Sequence, residues 1–178
     1  MSATVAPSVT ALSAARFAPA SAPGALDIAL AYSAPTLGCD LVWQGGDWAC
    51  DTTPATAMLM ALGCDRRANP TDTLPDAPVP SAPGVPTPLV DQRRGWCGDA
   101  LDAQGRRAGS RLWLLARAPE NRQTQVLAQS AAAEALAPVQ AMYGVAIQVA
   151  ARWVAPGVLG LRASAGPVSV TVTQRVAT

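Results

Sequence analysis

Apolar and polar residues alternate most strictly in the last third of the chain. In "VAIQVAARW", Val145, Ile147, Val149, Ala151 and Trp153 fall on one face, and Gln148 and Arg152 on the other. In "PVSVTVTQRV", Val168, Val170, Val172 and Val176 share a face opposite Ser169, Thr171, Thr173 and Arg175. A period of two is the signature of a half-buried strand. The intervening "VLGLRA" fits a third strand, with turns at Pro156-Gly157 and Ala165-Gly166. The same alternation appears near the start, where Leu26, Ile28, Leu30 and Tyr32 oppose Asp27. It is followed by "CDLVWQGGDWACD", in which Gly45-Gly46 suits a two-residue hairpin turn of the primed type. That turn sets Trp43 opposite Trp48 and Gln44 opposite Asp47.

The pattern changes to a helical one in the middle. "TTPATAMLMALGCDRR" predicts a short helix capped by Thr53, entered through Pro54 and ended by Gly63, with Met58, Leu59 and Leu62 in the core. "GSRLWLLARA" reads as a helix or tight apolar segment behind a Ser110 cap, with Leu112, Leu115 and Ala116 as its stripe. A longer helix is expected from about Asn121 to Met142, kinked or restarted at Pro138 by the missing backbone donor. Residues 69–90 hold seven of the sixteen prolines and form a long loop, because no regular ladder survives that density. Residues 1–24 are small, Pro-dotted and almost uncharged, and read as an extended arm. The order of elements predicts an α+β fold: a small mixed sheet with an N-terminal hairpin, two to three helices and a C-terminal antiparallel region. The expected organisation is the arm at 1–24 and a single α+β domain at 25–178 carrying the Pro-rich loop 69–90.

Half of the chain is apolar, but much of that half is alanine, so the five tryptophans and the scattered Leu and Val are expected to carry the core. Each large side chain contributes about 1.5–3 kcal/mol when buried. A net charge of +1 argues against a nucleic-acid partner, which needs a marked basic excess. No apolar run approaches the roughly 20 residues of a membrane span, and no basic start precedes an apolar run as in a secretory signal. There is no histidine, and Cys39, Cys50, Cys64 and Cys97 form no CxxC pair, so neither zinc nor another cofactor is expected. Two disulfides remain open as an alternative to buried free thiols, which the lack of an export signal favours.

Catalysis finds little support. Without histidine, a serine or cysteine nucleophile loses its usual base. A glycosidase needs two carboxylates across a cleft, and the only glutamates are Glu120 and Glu134. The densest chemistry is structural. "VDQRRGWCGDALDAQGRRAGSRLWLLARA" (90–118) holds two Arg-Arg pairs, two tryptophans, four glycines and three aspartates. Within it, "DQRRGWCGD" brings Asp91, Arg93, Arg94 and Asp99 into one segment bent at Gly95 and Gly98. Arg–Asp forks there are expected to clasp the loop, as an internal lock or as a subunit contact.

At these residues the chain resembles the Mu-like bacteriophage baseplate proteins of contractile tails. The pieces that carry the resemblance stand in order over roughly residues 26–176: "LDIAL", "GGDWACD", "ALGCDRRA", "LPD", "RRGWCGD", "GSRLWLLARA", "EAL" and the C-terminal strands. The resemblance makes Asp65, Arg66, Arg67, Arg93, Arg94, Gly95, Trp96, Gly98, Asp99, Gly109, Ser110, Arg111, Leu112 and Trp113 the family's characteristic positions. Cys97 stands where family members often have an aromatic residue, and the loop after "DRRA" is longer than usual. The family is distantly similar to the sheath initiators of larger contractile tails. It therefore implies a non-enzymatic, handshake-like α+β subunit of the virion baseplate, assembled in the host cytoplasm, with six copies around the ring. The implied partners are baseplate wedge proteins and the tail sheath, with tail tube and hub or spike as further neighbours. The strand bearing Val168, Val170, Val172 and Val176 is the expected site of pairing with sheath. The alternatives are a wedge subunit that never touches sheath and a cell-wall-degrading tail enzyme.

Overall fold

The computed structural model of the protein describes residues 27–33, 38–75, 93–103 and 105–176. The arm at 1–24, residues 76–90 of the Pro-rich stretch and Asp91 lie outside the described residues.

The C-terminal alternation becomes a three-stranded antiparallel sheet in the order β7-β8-β9, with β7 at Gln148–Ala155, β8 at Val158–Ala165 and β9 at Val168–Arg175. The first turn is Pro156-Gly157, as expected. The second is Gly166-Pro167 rather than Ala165-Gly166, because Ala165 is still paired with Val168. Gly166 supplies the positive φ of 58° that such a turn needs. Leu159, Leu161, Ala163 and Ala165 of β8 and Val168, Val170 and Val172 of β9 are buried on one face. The register stacks them across the strands, with Leu161 opposite Val172 and Ala163 opposite Val170. Gln174 shares this face and is buried as well, its side-chain amide donating to the Arg175 carbonyl at 3.0 Å.

Two helices cover that face. Helix α1 (Ala55–Gly63) lies against β9, and helix α2 (Arg122–Tyr143) lies mainly against β7. Met58 and Leu62 of α1 meet Ala128, Ala132, Leu136 and Val139 of α2 in one cluster with the sheet. Small alanines along the α2 seam let the helix approach closely. The tryptophans do not fill this core as expected. Trp43, Trp48 and Trp96 are exposed and Trp153 is only partly buried, leaving Trp113 as the one buried tryptophan. Methionine, leucine and valine side chains on α1, α2 and the strands supply the bulk instead.

The helix ends follow capping chemistry. Thr53 caps α1 as expected, its hydroxyl accepting from the Ala55 amide at 3.2 Å, and Asp51 adds a larger contribution. Its carboxylate accepts from the Thr53 and Thr56 amides (2.8 and 3.2 Å) and from both hydroxyls (2.6 and 2.9 Å). A carboxylate satisfies several free N–H groups at once and suits the positive end of the helix. Gly63 is the last helical residue and does not adopt positive φ; Cys64 leaves in extended conformation. Asn121 caps α2 by accepting from the Thr124 amide at 2.9 Å, and Gly144 ends it at φ 63°. The helix does not restart at Pro138. It runs 22 residues through it, with Pro138 on the exposed side.

The N-terminal hairpin is present and forms a small wing of short pairings: β1 (Asp27–Ile28) with β6 (Cys50–Asp51), β2 (Leu30–Ser33) with β3 (Gly38–Leu41), and β4 (Trp43–Gln44) with β5 (Asp47–Trp48). Ala29, Val42 and Ala49 join the three pieces through a ring of backbone bonds of 2.8–3.0 Å. Gly45 and Gly46 both take positive φ (65° and 88°), as a type I′ turn requires. Trp43 stands opposite Trp48, their rings 4.9 Å apart and nearly perpendicular.

The α+β class therefore holds. Its ladders are antiparallel throughout the described residues, and the expected mixed character reduces to one isolated parallel bridge between Asp65 and Ser110. The segment read as a helix at "GSRLWLLARA" is one 3-10 turn, Leu112–Leu115, because Ser110 belongs to that bridge and does not cap.

Candidate functional site

After α1 the chain runs extended from Cys64 to Ala68 and is gripped from two sides. On one side Ser110 donates its amide to the Cys64 carbonyl (2.9 Å) and accepts from the Arg66 amide (2.8 Å). Its hydroxyl donates to the Leu62 carbonyl at 3.0 Å, closing the open end of α1. On the other side the Ala68 amide donates to the Arg93 carbonyl at 2.9 Å. Both grips depend on glycine. Gly109 has φ 85°, and a Cβ there would lie 2.5 Å from the Cys64 carbonyl oxygen; Gly95 has φ 99°, and a Cβ there would lie 2.6 Å from the Arg67 Cβ. Glycine is the residue that reaches such φ values and such closeness without strain.

Trp113 forms the floor. Its Nε1 donates to the Arg66 carbonyl at 2.9 Å, and the Arg94 guanidinium carbon stands 4.5 Å over its ring. Arg94 also pairs with Asp65 at 2.7 Å through one nitrogen. A cation over an indole face is attracted by the ring quadrupole. Arg93 reaches the backbone instead, donating through Nη1 to the Asn69 carbonyl and through Nη2 to the Pro70 carbonyl at 3.1 Å.

Arg111 and Arg66 converge on the middle of α2. Glu134 accepts from Arg111 at 2.7 Å with one oxygen and pairs with Arg66 at 3.2 Å through the other. Arg111 also reaches Asp72 at 3.2 Å. The hydrogen bond that Arg111 donates to Glu134, aided by Asp72, raises the Arg111 pKa against the opposing effect of burial. Burial, and then the neighbouring Asp65, pushes the Cys64 thiol up, so it stays protonated and unreactive at neutral pH. Cys50, Cys64 and Cys97 are free thiols, but Cys50 and Cys97 are exposed, contrary to the expectation of burial.

Asp65, Arg66, Arg67, Arg93, Arg94, Gly95, Arg111 and Trp113 thus come together in one clasp. The expected pairing of Arg93 and Arg94 with Asp99 does not form. Arg94 itself has φ 50°, and with Gly95 it turns the chain so that both guanidinium groups lie back over residues 65–70. Asp99 accepts from the Ala108 amide at 2.9 Å instead. Gly98 leaves room for the Trp96 ring, whose Cη2 would be 2.3 Å from a Cβ there; Trp96 itself is exposed. The sequence does not single out Asn69, Asp72 or Glu134 as partners of the clasp. The scarcity of glutamate was the available signal: Glu134 is the one acid on a helix rich in alanine. Most of the clasp's charges are satisfied internally, so its chemistry is mechanical. It ties two loops and two helices together and presents Trp96 and the half-exposed edge of Arg94 on the surface.

Among the described residues no helix is long and apolar enough to cross a membrane, and no group of three His, Cys, Asp or Glu residues could hold a metal ion. The model of the phage protein GP46 family matches residues 54–175, which contain the clasp, both helices and nearly all of the sheet. Baseplate protein gp46 of Escherichia phage Mu is 38% identical over 97 residues, covering 54% of this chain and 57% of that protein. The match thus spans little more than half the length of that relative. No solved structure matches the chain.

Proposed function

The chain belongs to the phage protein GP46 family, and from that premise we propose that it is a structural subunit of a phage tail baseplate. The observation that carries the reading is the likeness to the Mu baseplate protein, together with the family match over the clasp-bearing residues 54–175. A clasp whose arginines are engaged with its own acids and carbonyls supports a scaffold rather than a catalyst. Its place is the virion tail, among other baseplate subunits.

The more specific reading is a sheath initiator, which joins the baseplate wedge to the first ring of sheath by accepting a strand. The sheet supports this at β9. Among the described residues both β7 and β9 are edge strands, but β7 carries a register shift between Trp153 and Ala155, whereas β9 pairs regularly with β8 over all eight residues. Bulged edges resist strand addition and regular ones invite it. Val168, Val170, Val172 and Val176 face the core, so they hold the sheet in place, and the pairing surface is the backbone of β9. A two-residue turn makes Ala165 and Val168 a pair that exchanges both bonds. Alternation along the ladder then turns the backbone groups of Ser169 and Thr171 outward.

Thr171→Pro removes one of those outward donors. Proline is tolerated on an edge, so the melting temperature should fall by no more than a few degrees while sheath assembly on baseplates is lost. Val170→Pro deletes a ladder bond and a core side chain and should unfold the domain. Melting curves and negative-stain counts of sheathed tails check both outcomes. Normal sheath assembly on folded Thr171→Pro baseplates would instead favour a wedge subunit with no sheath contact.

A further inference from the structure

Among the described residues two surfaces are left without a partner, and they carry opposite charge. The first is the wing. Trp43 and Trp48 are 61% and 45% exposed, and Ile28 and Leu41 are exposed beside them. From Asp27 to Asp51 the charged residues are Asp27, Asp40, Asp47 and Asp51, with no arginine among them. Asp27 and Asp51 even stand opposite each other across β1 and β6, an arrangement that costs stability unless something offsets it. Asp51 is partly compensated by the start of α1, but nothing within the wing balances Asp40 and Asp47.

The second surface is the outer face of the three-stranded sheet, since α1 and α2 both pack on its inner face. From Val145 to Val176 the charged residues are Arg152, Arg162 and Arg175, with no acid. All three are exposed. The register places Arg162 beside Ala150 and Thr171, Arg152 beside Gly160, and Arg175 beside Val158. Arg152 is thus level with Gly160, with Arg162 two residues to one side along the strands and Arg175 two residues to the other, so the three arginines spread as a triangle over the face. Val154, itself exposed, lies against Gly160.

We propose that the acidic tryptophan wing of one copy of this chain seats on the arginine-bearing outer sheet face of a second copy. Each surface is the chemical complement of the other. Guanidinium planes stack on indole faces and pair with carboxylates, and arginine keeps this ability where a more strongly hydrated ammonium would lose it. Trp and Arg are the side chains most often dominant in protein contacts. Because the two patches differ, the contact is head-to-tail, and a closed set of copies forms a ring. The wing precedes the residues matched by the family model. The contact uses the face of the sheet and leaves the β9 edge open. It also holds whether or not the copies sit in a baseplate.

The test is sedimentation velocity with light scattering on the full chain, at about 0.05 M and about 1 M salt, which bracket weak and strong screening. The wild type should associate at low salt with a mass that grows with concentration, and dissociate at high salt. Trp43→Ala should weaken the association at least tenfold. Asp40→Arg/Asp47→Arg and Arg152→Glu/Arg162→Glu should each be monomeric, and an equal mixture of the two should recover the complex, because each reversed wing then meets a reversed face. Asp47 also accepts from the Trp48 amide at 2.7 Å, so Asp40→Arg alone serves as a wing variant that leaves the turn intact; it should weaken association by itself. A wild type monomeric at all concentrations, association unaffected by Trp43→Ala, or a charge-swapped mixture that stays monomeric overturns the proposal.

Discussion

Trp113→Ala should lower the stability of the isolated protein by about 3–5 kcal/mol, the range for deleting a buried aromatic side chain. Trp113 is buried, and its loss does three things together. It opens a cavity between the 93–95 loop and the extended segment after α1. It removes the surface under Arg94, leaving the guanidinium its one bond to Asp65. It also leaves the Arg66 carbonyl without its indole donor. Trp113→Phe separates these effects, since a phenyl ring keeps much of the packing and loses the N–H. An unsatisfied buried carbonyl costs about 1–3 kcal/mol, so Phe should fall between Ala and the wild type. Urea unfolding measures both. A loss below about 1 kcal/mol for Trp113→Ala would show that the clasp closes without its floor. Arg94→Ala is expected to cost only about 1–2 kcal/mol, because that ion pair is close to half exposed and surface pairs contribute little.

Gly109→Ala should cost about 2–5 kcal/mol. Two separate penalties act there. At φ 85° an L side chain is strained, and the new Cβ would press to 2.5 Å on the Cys64 carbonyl oxygen and 2.9 Å on the Arg66 amide nitrogen. Both contacts are backbone and cannot swing aside. The parallel bridge between Asp65 and Ser110 would have to open, and the bond from the Ser110 hydroxyl to the end of α1 would go with it. Gly105→Ala is the matched control, with φ 67° but nothing within 4 Å of the added atom. It should cost about 1–2 kcal/mol from backbone strain alone. Equal losses at the two positions would mean that the close approach at Gly109 relaxes freely.

The C-terminal sheet is legible in the sequence because its inner and outer residues alternate without interruption, and a period of two has one structural meaning. The wing is legible for a different reason: Gly45-Gly46 leaves few choices of turn, and the turn fixes the register of Trp43 and Trp48. The helix at Arg122–Tyr143 is announced by Asn121 and Gly144 at its ends, which outweigh Pro138 because an exposed proline costs one bond and no core contact. The clasp is harder to read. Its residues are visible as a dense run of Arg, Trp and Gly, but their partners are distant in sequence: Arg94 finds Asp65 and Arg111 finds Glu134, 29 and 23 residues away. Charge pairing has no period, so nothing local foretells it. The cap at Asp51 was hidden for a related reason, since a strand residue supplies it from outside the helix motif. The tryptophans mislead because size alone suggests burial. Trp43 and Trp48 instead stay exposed, stacked edge to face on each other in the wing.

The central claim is that this chain is a baseplate subunit that receives a strand along β9. A cryo-electron microscopy map of assembled tails carrying the chain tests it most directly. The account predicts density for the chain within the baseplate and an extended segment of a neighbouring protein hydrogen-bonded to the outward backbone of Ser169 and Thr171. A baseplate in which the β9 edge faces solvent along its whole length, or tails from which the chain is absent, would contradict it.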